Sequence, residues 1–304
     1  MDIPISFQEK IRNSFGKPGK EWLQSLEVNV NHMAEVWGLT LESPVTNLSY
    51  NYVIHVIDEN NNPYILKMGL PGFDFENEIR TLQLYSGKGC AKLLKADVER
   101  GAMLLESLQP GTMLCTETDE TVVIQQFCRV WKQIRKPLPK DTDFPTILHW
   151  ASAFSKYQSN YPKNDGPIPN EWVAMSAKFL EEIQQTTMEI GLLHGDLHHE
   201  NILFSNERGW LAIDPKGVAG DPYFDAVSFM VNHLFTKPNP ENLLRLRVNL
   251  ISELLQMNCE KLLKAAISMS TLYACWAVED HDPYWKETYQ CAKWFNKFLI
   301  ENDM

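Results

Sequence analysis

The sequence predicts an α+β fold in two lobes: a small, β-rich N-terminal lobe over residues 1–106 and a larger, mainly helical lobe over 107–304. Three observations carry this expectation. Apolar residues alternate between Leu48 and Val56 ahead of a turn-rich segment, apolar residues recur at helical spacing through most of the chain beyond residue 112, and one non-helical stretch, 191–214, gathers carboxylates, imidazoles and a carboxamide.

The elements follow in order. Trp22, Leu26, Val30, Met33 and Trp37 step by four and three, which predicts an amphipathic helix closed at Gly38. Leu48, Tyr50, Tyr52, Ile54 and Val56 predict a strand with one buried face. The turn DENNNP and the short strand 64–68 complete a hairpin signal. Asp74 is placed to cap the helix carrying Ile79, Leu82 and Tyr85, and two further strands are expected near 92–97 and 102–106. SLQPGT at 107–112 ends the strand-rich part. Helices are then expected over roughly 118–135, 145–159, 170–190, 222–235, 239–257, 260–279 and 284–301, with short strands at 202–204 and 211–213.

Composition narrows the class. The chain has 304 residues, 44% of them apolar, which is enough for a large core divided between two lobes. A formal net charge of −11 disfavours nucleic acid as a partner and suits a cationic ligand. No apolar run reaches the length of a membrane span, and the N-terminus lacks the pattern of a signal peptide, so neither membrane nor export is expected. The six cysteines include no CxxC pair and are read as reduced core thiols of a cytoplasmic protein.

The chemistry concentrates in His194-Gly195-Asp196-Leu197-His198-His199-Glu200-Asn201, with Asp214 following in Ile213-Asp214-Pro215. A carboxylate, a carboxamide five positions on and a second carboxylate across a tight hairpin suit phosphoryl transfer. That reaction needs positioning, a group to orient the attacking hydroxyl, and cationic charge on the phosphates. Mg2+ takes hard oxygen ligands, which Asn201 and Asp214 can supply, while Asp196 can accept the proton of the attacking hydroxyl.

HGDLHHEN resembles the D-x-x-x-x-N catalytic loop of protein-kinase-like enzymes, in the H-G-D form of aminoglycoside phosphotransferases. LLHGDLHHENILF with LAIDPKGVAGDPYFDAVSF is similar to the aminoglycoside/hydroxyurea phosphotransferase family, which includes streptomycin 6-kinases. EWLQSLEVNVNHMAEVWGLTL and ENEIRTLQLYSGKGCAKLLKADVERGAMLLESLQPGT extend the resemblance over roughly 20–280. It implies a two-lobed protein-kinase-like fold, ATP and Mg2+ as cosubstrate and cofactor, and a small-molecule hydroxyl acceptor of cationic character. By the same resemblance Asp196 is the catalytic base, and Asn201 and Asp214 hold the metal. Lys67 contacts phosphate with Glu78 as its partner, ahead of Glu76. Glu106 and Leu108 receive the adenine through their main chain, while His194 and Asp225 support the catalytic loop.

The chain departs from the protein-kinase pattern at PVTNLSYN, 44–51, which has no glycine where a Gly-rich loop would cover the phosphates. Thr46, Asn47 and Ser49 remain as donors there, and the choice between ATP and GTP stays open. The acceptor-binding residues are similarly open. Glu279, Asp280 and Asp282 are the candidates for a cation, ahead of Glu181 and Glu182, and Lys216 faces either phosphate or solvent. Asp221 is read as a plain N-cap, His199 and Glu200 as exposed, and zinc at His194, His198 and His199 is disfavoured for want of a fourth ligand. A kinase of choline, homoserine, methylthioribose or another sugar would share this loop. A non-catalytic nucleotide binder would be expected to have lost one of these residues, and a protein kinase would carry D-F-G and A-P-E.

Overall fold

The β-sheet and the long helix that covers it account for most of the first part of the chain. The computed structural model describes residues 3–302, and they divide into two units. The chain through Gly111 together with Ser205–Gly209 forms one, and Thr112–Phe204 with the residues from Trp210 onward forms the other.

The first unit opens with α1 (Ile5–Trp37), then β1 (Thr40–Pro44), β2 (Tyr52–Ile57), β3 (Pro63–Met68), α2 (Phe73–Tyr85), β4 (Leu93–Asp97) and β5 (Ala102–Glu106). The strands form an antiparallel sheet in the order β1-β2-β3-β5-β4. Its inward residues Tyr52, Ile54, Val56, Leu66, Met68, Ala102 and Leu104 pack against Phe7, Ile11, Trp22, Leu26, Val30 and Met33 of α1. This is a helix stripe laid on the period-two face of a sheet.

Three boundaries differ from the sequence reading. α1 starts at Ile5, well before Trp22, and bends at Gly16 (φ 55°), with Pro18 just beyond. The four-residue spacing of Phe7 and Ile11 continues the buried stripe through that polar stretch. β2 begins at Tyr52 rather than Leu48, because Tyr50 leaves the alternation to meet Phe15 edge-on at 5.9 Å with Lys10 Nζ over its ring. Asp74 lies inside the first turn of α2, whose N-cap is Gly72, where its charge complements the helix dipole. Gly38 closes α1 in the left-handed conformation (φ 68°), as its position after Trp37 predicts.

A short strand, β6 (Pro110–Met113), precedes α3 (Glu120–Ile134), which Asp119 caps at the Thr121 and Val122 N–H groups. The second unit continues with β7 (Lys136–Pro137), α4 (Ile147–Trp150), α5 (Ser152–Asn160), α6 (Asn170–Thr186) and β8 (Gly191–Leu193). Next come β9 (Ile202–Ser205), β10 (Gly209–Ala212), β11 (Val218–Gly220), α7 (Val227–Val231), α8 (Pro240–Leu255), α9 (Cys259–Glu279) and α10 (Trp285–Asn302). β11, β8 and β7 form a small antiparallel sheet absent from the sequence reading, whose strands are only two or three residues long. The helix expected over 222–235 is instead a 3-10 turn at Pro222–Ala226 followed by α7. The helix expected over 145–159 breaks into α4 and α5.

α9 runs through the middle of the second unit, with thirteen buried residues and contacts to α5, α6, α7, α8 and α10. Cys90, Cys128, Cys275 and Cys291 are buried, whereas Cys115 and Cys259 are partly exposed and so are not core thiols. Among the described residues no helix is long and apolar enough to cross a membrane.

Candidate active site

The segment between β8 and β9 is a loop held from behind by hydrogen bonds to its backbone. Asp225 is buried. Its Oδ1 accepts the Gly195 N–H at 2.7 Å and its Oδ2 the His194 N–H at 3.1 Å. Burial raises its pKa to about 6, against the opposing pull of those two N–H groups. His194 is fully buried, and burial pushes its pKa down to about 3, so the ring is neutral. Its Nε2 lies 2.8 Å from the Ile213 carbonyl and its Nδ1 accepts the Asp196 N–H at 3.2 Å, which fixes the proton on Nε2. Gly195 between them sits at φ 80°, a conformation that favours glycine.

Asp196 therefore emerges from a clamped backbone. Its carbonyl accepts Asn201 Nδ2 at 2.8 Å and the His198 N–H at 3.1 Å. The side chain is partly exposed, with His198 Nε2 3.6 Å from Oδ1 and Lys216 Nζ 3.9 Å from Oδ2. Burial raises its pKa, and the Asp214 charge adds to this, while His198 and Lys216 pull the other way. Lys216 thus has an exposed side chain whose ammonium reaches toward the Asp196 carboxylate.

Asn201 donates its amide nitrogen to the Asp196 carbonyl and holds it 3.2 Å from His198 Nε2. That orientation turns its amide oxygen, the atom a hard cation takes, away from these bonds. Asp214 follows Ile213, whose N–H donates to the Asn201 carbonyl at 2.9 Å and whose own carbonyl meets His194. Asp214 takes a left-handed backbone (φ 57°), and its charge acts on both Asp196 and His194. His194, Asp196, Asn201, Asp214 and Asp225 thus belong to one connected arrangement. Its two oxygen donors, a carboxamide and a carboxylate, fit the hard-ligand preference of Mg2+.

Around it lies a network that the sequence reading missed. His199 is not exposed: it is 3% accessible, stacked on Phe229 at 4.4 Å, with Phe229 stacked in turn on Phe127. Burial, with the Arg247 charge, holds the His199 pKa down to about 2. Arg247 is fully buried and donates to the carbonyls of Phe229, Met230 and Asn232 and to Glu120 Oε2. A lone arginine in an amphipathic helix carries no signal of that role. Glu200 lies between His198 Nδ1, at 2.9 Å from Oε2, and His233 Nε2, which meets Oε1. Burial would raise the Glu200 pKa, but the His198 contact and the two imidazole charges bring it down to about 2. Asp221 caps the 3-10 turn at the Tyr223 N–H and also pairs with Lys261 at 2.6 Å.

In the first unit, Lys67 is not a surface lysine. It is 1% accessible on β3, and its Nζ lies 2.6 Å from Glu78 Oε1 on α2. Glu106, at the end of β5, gives its carboxylate to Arg208 and to the Lys92 N–H, and Leu108 is buried two residues on. In the glycine-free turn, the Ser49 hydroxyl accepts from Lys10 Nζ at 3.1 Å. Of the acidic candidates for the acceptor, Glu279 is paired with Lys156, and Glu182 lies near Lys178 and Lys264.

An antiparallel sheet unit, a helical unit and an H-G-D-x-x-x-x-N loop followed by the aspartate of Ile213-Asp214 define a small-molecule kinase, a phosphotransferase with an alcohol group as acceptor. The model of the aminoglycoside/hydroxyurea antibiotic resistance kinase family matches residues 37–281, and the chain belongs to that family. It is 23% identical to the streptomycin 6-kinase of Streptomyces glaucescens over 92% of each chain. It is 28% identical to the hydroxyurea phosphotransferase of Kitasatospora aureofaciens, over 76% of this chain and 68% of that one. Among solved structures it resembles a thermostable mutant of aminoglycoside phosphotransferase APH(4)-Ia in ternary complex with ADP and hygromycin B. The TM-score is 0.63, with 11% identity over 89% of this chain and 97% of the other. That likeness extends the kinase-like fold beyond the family.

Proposed function

We propose that this chain transfers the γ-phosphoryl group of ATP, with Mg2+, to a hydroxyl of a small, cationic, polar acceptor of the aminocyclitol type, with streptomycin the first candidate. The single observation that carries the reading is the clamped loop: Asp196 is held by three backbone contacts while its carboxylate stays partly exposed. Relatives named for streptomycin support the acceptor class, whereas the one named for hydroxyurea supports only a small polar acceptor. The reading takes the lobe through residue 106 as nucleotide-binding, the remainder as carrying the catalytic loop and acceptor site, and the cytoplasm, where ATP is supplied, as its place.

In this reading Asp196 accepts the proton of the acceptor hydroxyl as its oxygen bonds to the γ-phosphorus. The bond from that phosphorus to the β,γ-bridging oxygen breaks, and ADP leaves. Lys216, near the same carboxylate, offers a positive charge toward the transferring phosphate. Asn201 and Asp214 would hold Mg2+, which supplies charge neutralisation on the phosphates when bound. Lys67, oriented by Glu78, contacts phosphate oxygen, and the main chain at Glu106 and Leu108 receives the adenine.

Mass spectrometry of streptomycin, other aminocyclitols, hydroxyurea, choline and homoserine, each incubated with the enzyme, ATP and Mg2+, tests the proposal. A singly phosphorylated streptomycin is expected. Asp196→Asn should lower turnover by about 10²- to 10⁴-fold with magnesium-nucleotide affinity retained. Phosphorylation of choline or homoserine alone would replace the aminocyclitol reading, and undiminished turnover in Asp196→Asn would remove Asp196 from the base role.

A further inference from the structure

We propose that Trp150, Tyr273 and Trp276 form an aromatic wall beside the Asp196 loop that receives and positions the ring of the phosphoryl acceptor. This rests on the phosphotransfer reading above and adds to it the residues that hold the second substrate.

The wall is built rigidly. Trp150 is the last residue of α4, a one-turn helix whose position is set by the small sheet beneath it. Thr146 caps α4 at the His149 N–H and bridges to Ala219, whose N–H donates to the Pro145 carbonyl at 2.7 Å. Ile147 fills the space left by the missing side chain of Gly220, where a Cβ would stand 2.5 Å from Ile147 Cγ1. α4 is thereby locked to β11, and its last residue, Trp150, is delivered to the catalytic loop. A Cβ on Gly195, the residue immediately before Asp196, would stand 3.1 Å from Trp150 Cη2. Glycine at 195 therefore serves two needs at once, the positive φ of the loop and the close approach of the indole edge.

From α9, Trp276 meets Trp150 edge-on, with centroids 5.6 Å apart, and Tyr273 lies 6.0 Å from Trp276. The Tyr273 hydroxyl is pushed upward in pKa, by burial first and then by the charges of Asp196 and Asp225. The three rings are only partly buried, unlike Phe127, Phe229 and Phe295, which are fully enclosed in the same unit. Open aromatic surface beside the Asp196 loop suits a ring substrate, because the C–H face of an alicycle removes apolar area from water against an indole, and a cationic substituent gains from the π faces. One turn beyond Trp276, the exposed Glu279 and Asp280 place negative charge at the end of the wall, Glu279 being shared with Lys156 of α5. The acidic pair alone would define no ligand; with the aromatic wall it sets the end toward which a cationic substituent points.

The test is a tryptophan-fluorescence titration of the full chain with streptomycin as the ring probe and hydroxyurea as the ringless probe, both without nucleotide, alongside steady-state kinetics. Streptomycin is expected to quench the emission saturably and hydroxyurea to leave it unchanged. Trp150→Phe should remove most of the quench. Trp150→Leu should raise the KM for streptomycin about tenfold, with a smaller change in kcat and no change in the KM for ATP. Should Trp150→Leu fail to fold, judged by its melting temperature, Trp276→Leu takes its place with a smaller KM rise expected. An unchanged streptomycin KM in a folded variant, equal quenching by the two probes, or no quenching by streptomycin would overturn the wall. Because the titration needs no turnover, quenching without any phosphorylated product would instead retain the wall and sink the phosphotransfer reading.

Discussion

Lys67 with Glu78, and Glu200 with its two imidazoles, are both charge clusters in a kinase chain, yet they are built on opposite principles. The first is a sealed pair: each side chain is almost wholly buried, a contact of 2.6 Å joins a strand to a helix, and the pair lies in the antiparallel-sheet unit. The second is an open network: Glu200 is about one-third exposed and shares its two oxygens between His198 and His233, both in partial contact with solvent. A sealed pair resists salt and pH but is costly to break, since either partner left alone is an uncompensated buried charge. An open network is cheap to break and responds to pH. The difference predicts how each cluster fails.

The largest effect belongs to the sealed pair. Lys67→Met removes the cation that faces the buried Glu78 carboxylate, so a loss of about 3–5 kcal/mol is expected by chemical denaturation. The double variant Lys67→Met with Glu78→Leu removes both charges and should recover most of that loss while recovering no transferase activity. Recovery of stability without activity would separate the structural part of the pair from the phosphate contact proposed for Lys67. If the double variant were as unstable as the single one, the pair would owe its stability to something other than mutual neutralisation.

Asp225 comes next and tests the clamp behind the catalytic loop. Asp225→Ala leaves the Gly195 and His194 N–H groups without their acceptor in a buried place, at an expected cost of about 2 kcal/mol. Asp225→Asn keeps one acceptor oxygen and should fall between the two. Because the loop carries Asp196, kcat should drop in the same order while the KM for ATP moves less. A stability loss with kcat unchanged would mean that the loop keeps its shape without the clamp.

These two sites also show what a sequence can and cannot announce. The loop from His194 to Asn201 is contiguous, so its chemistry is visible as a string, and so is Asp214 across a hairpin of fixed length. Most helices of the second unit were visible by their period, and the pairing of β2 with β3 by its hairpin. Lys67 and Glu78 are eleven residues apart on different elements, and only the order of strand, helix and loop singled them out. Arg247 and Trp150 could not be found that way. Arg247 acts through carbonyls of Phe229, Met230 and Asn232 brought to it by tertiary packing, and Trp150 depends on two glycines far along the chain that let α4 and its indole approach. His199 was misread as exposed because a histidine beside a glutamate in a loop looks solvated, and its stacking partner Phe229 is thirty residues away. Strands of two or three residues, such as β7, β8 and β11, are too short to show alternation at all.

The smallest expected effect lies in the open network and is readable only against pH. Burial opposes the charged form of Glu200, but its imidazole partners prevail and depress its folded pKa to about 2 from an ordinary 4.5. The stability it contributes is therefore present above pH 4.5 and lost as pH falls through about 2. For His198 burial disfavours the cation, yet Glu200 and Asp196 outweigh it and raise the pKa above 6.5, so its contribution is present below pH 6.5 and lost as pH rises through the folded value. Both groups are charged together only between those limits. Glu200→Gln should therefore destabilise the protein most near pH 5 to 6.5, by about 1 kcal/mol after allowance for solvent screening, with the difference shrinking on both sides. Melting temperatures of the two proteins from pH 3 to pH 9 would show that difference as a bell, roughly between those limits. A difference that stays flat across the range would mean that Glu200 holds His198 and His233 by hydrogen bonding alone. The sealed pair and the network would then differ in burial but not in the way they respond to protons.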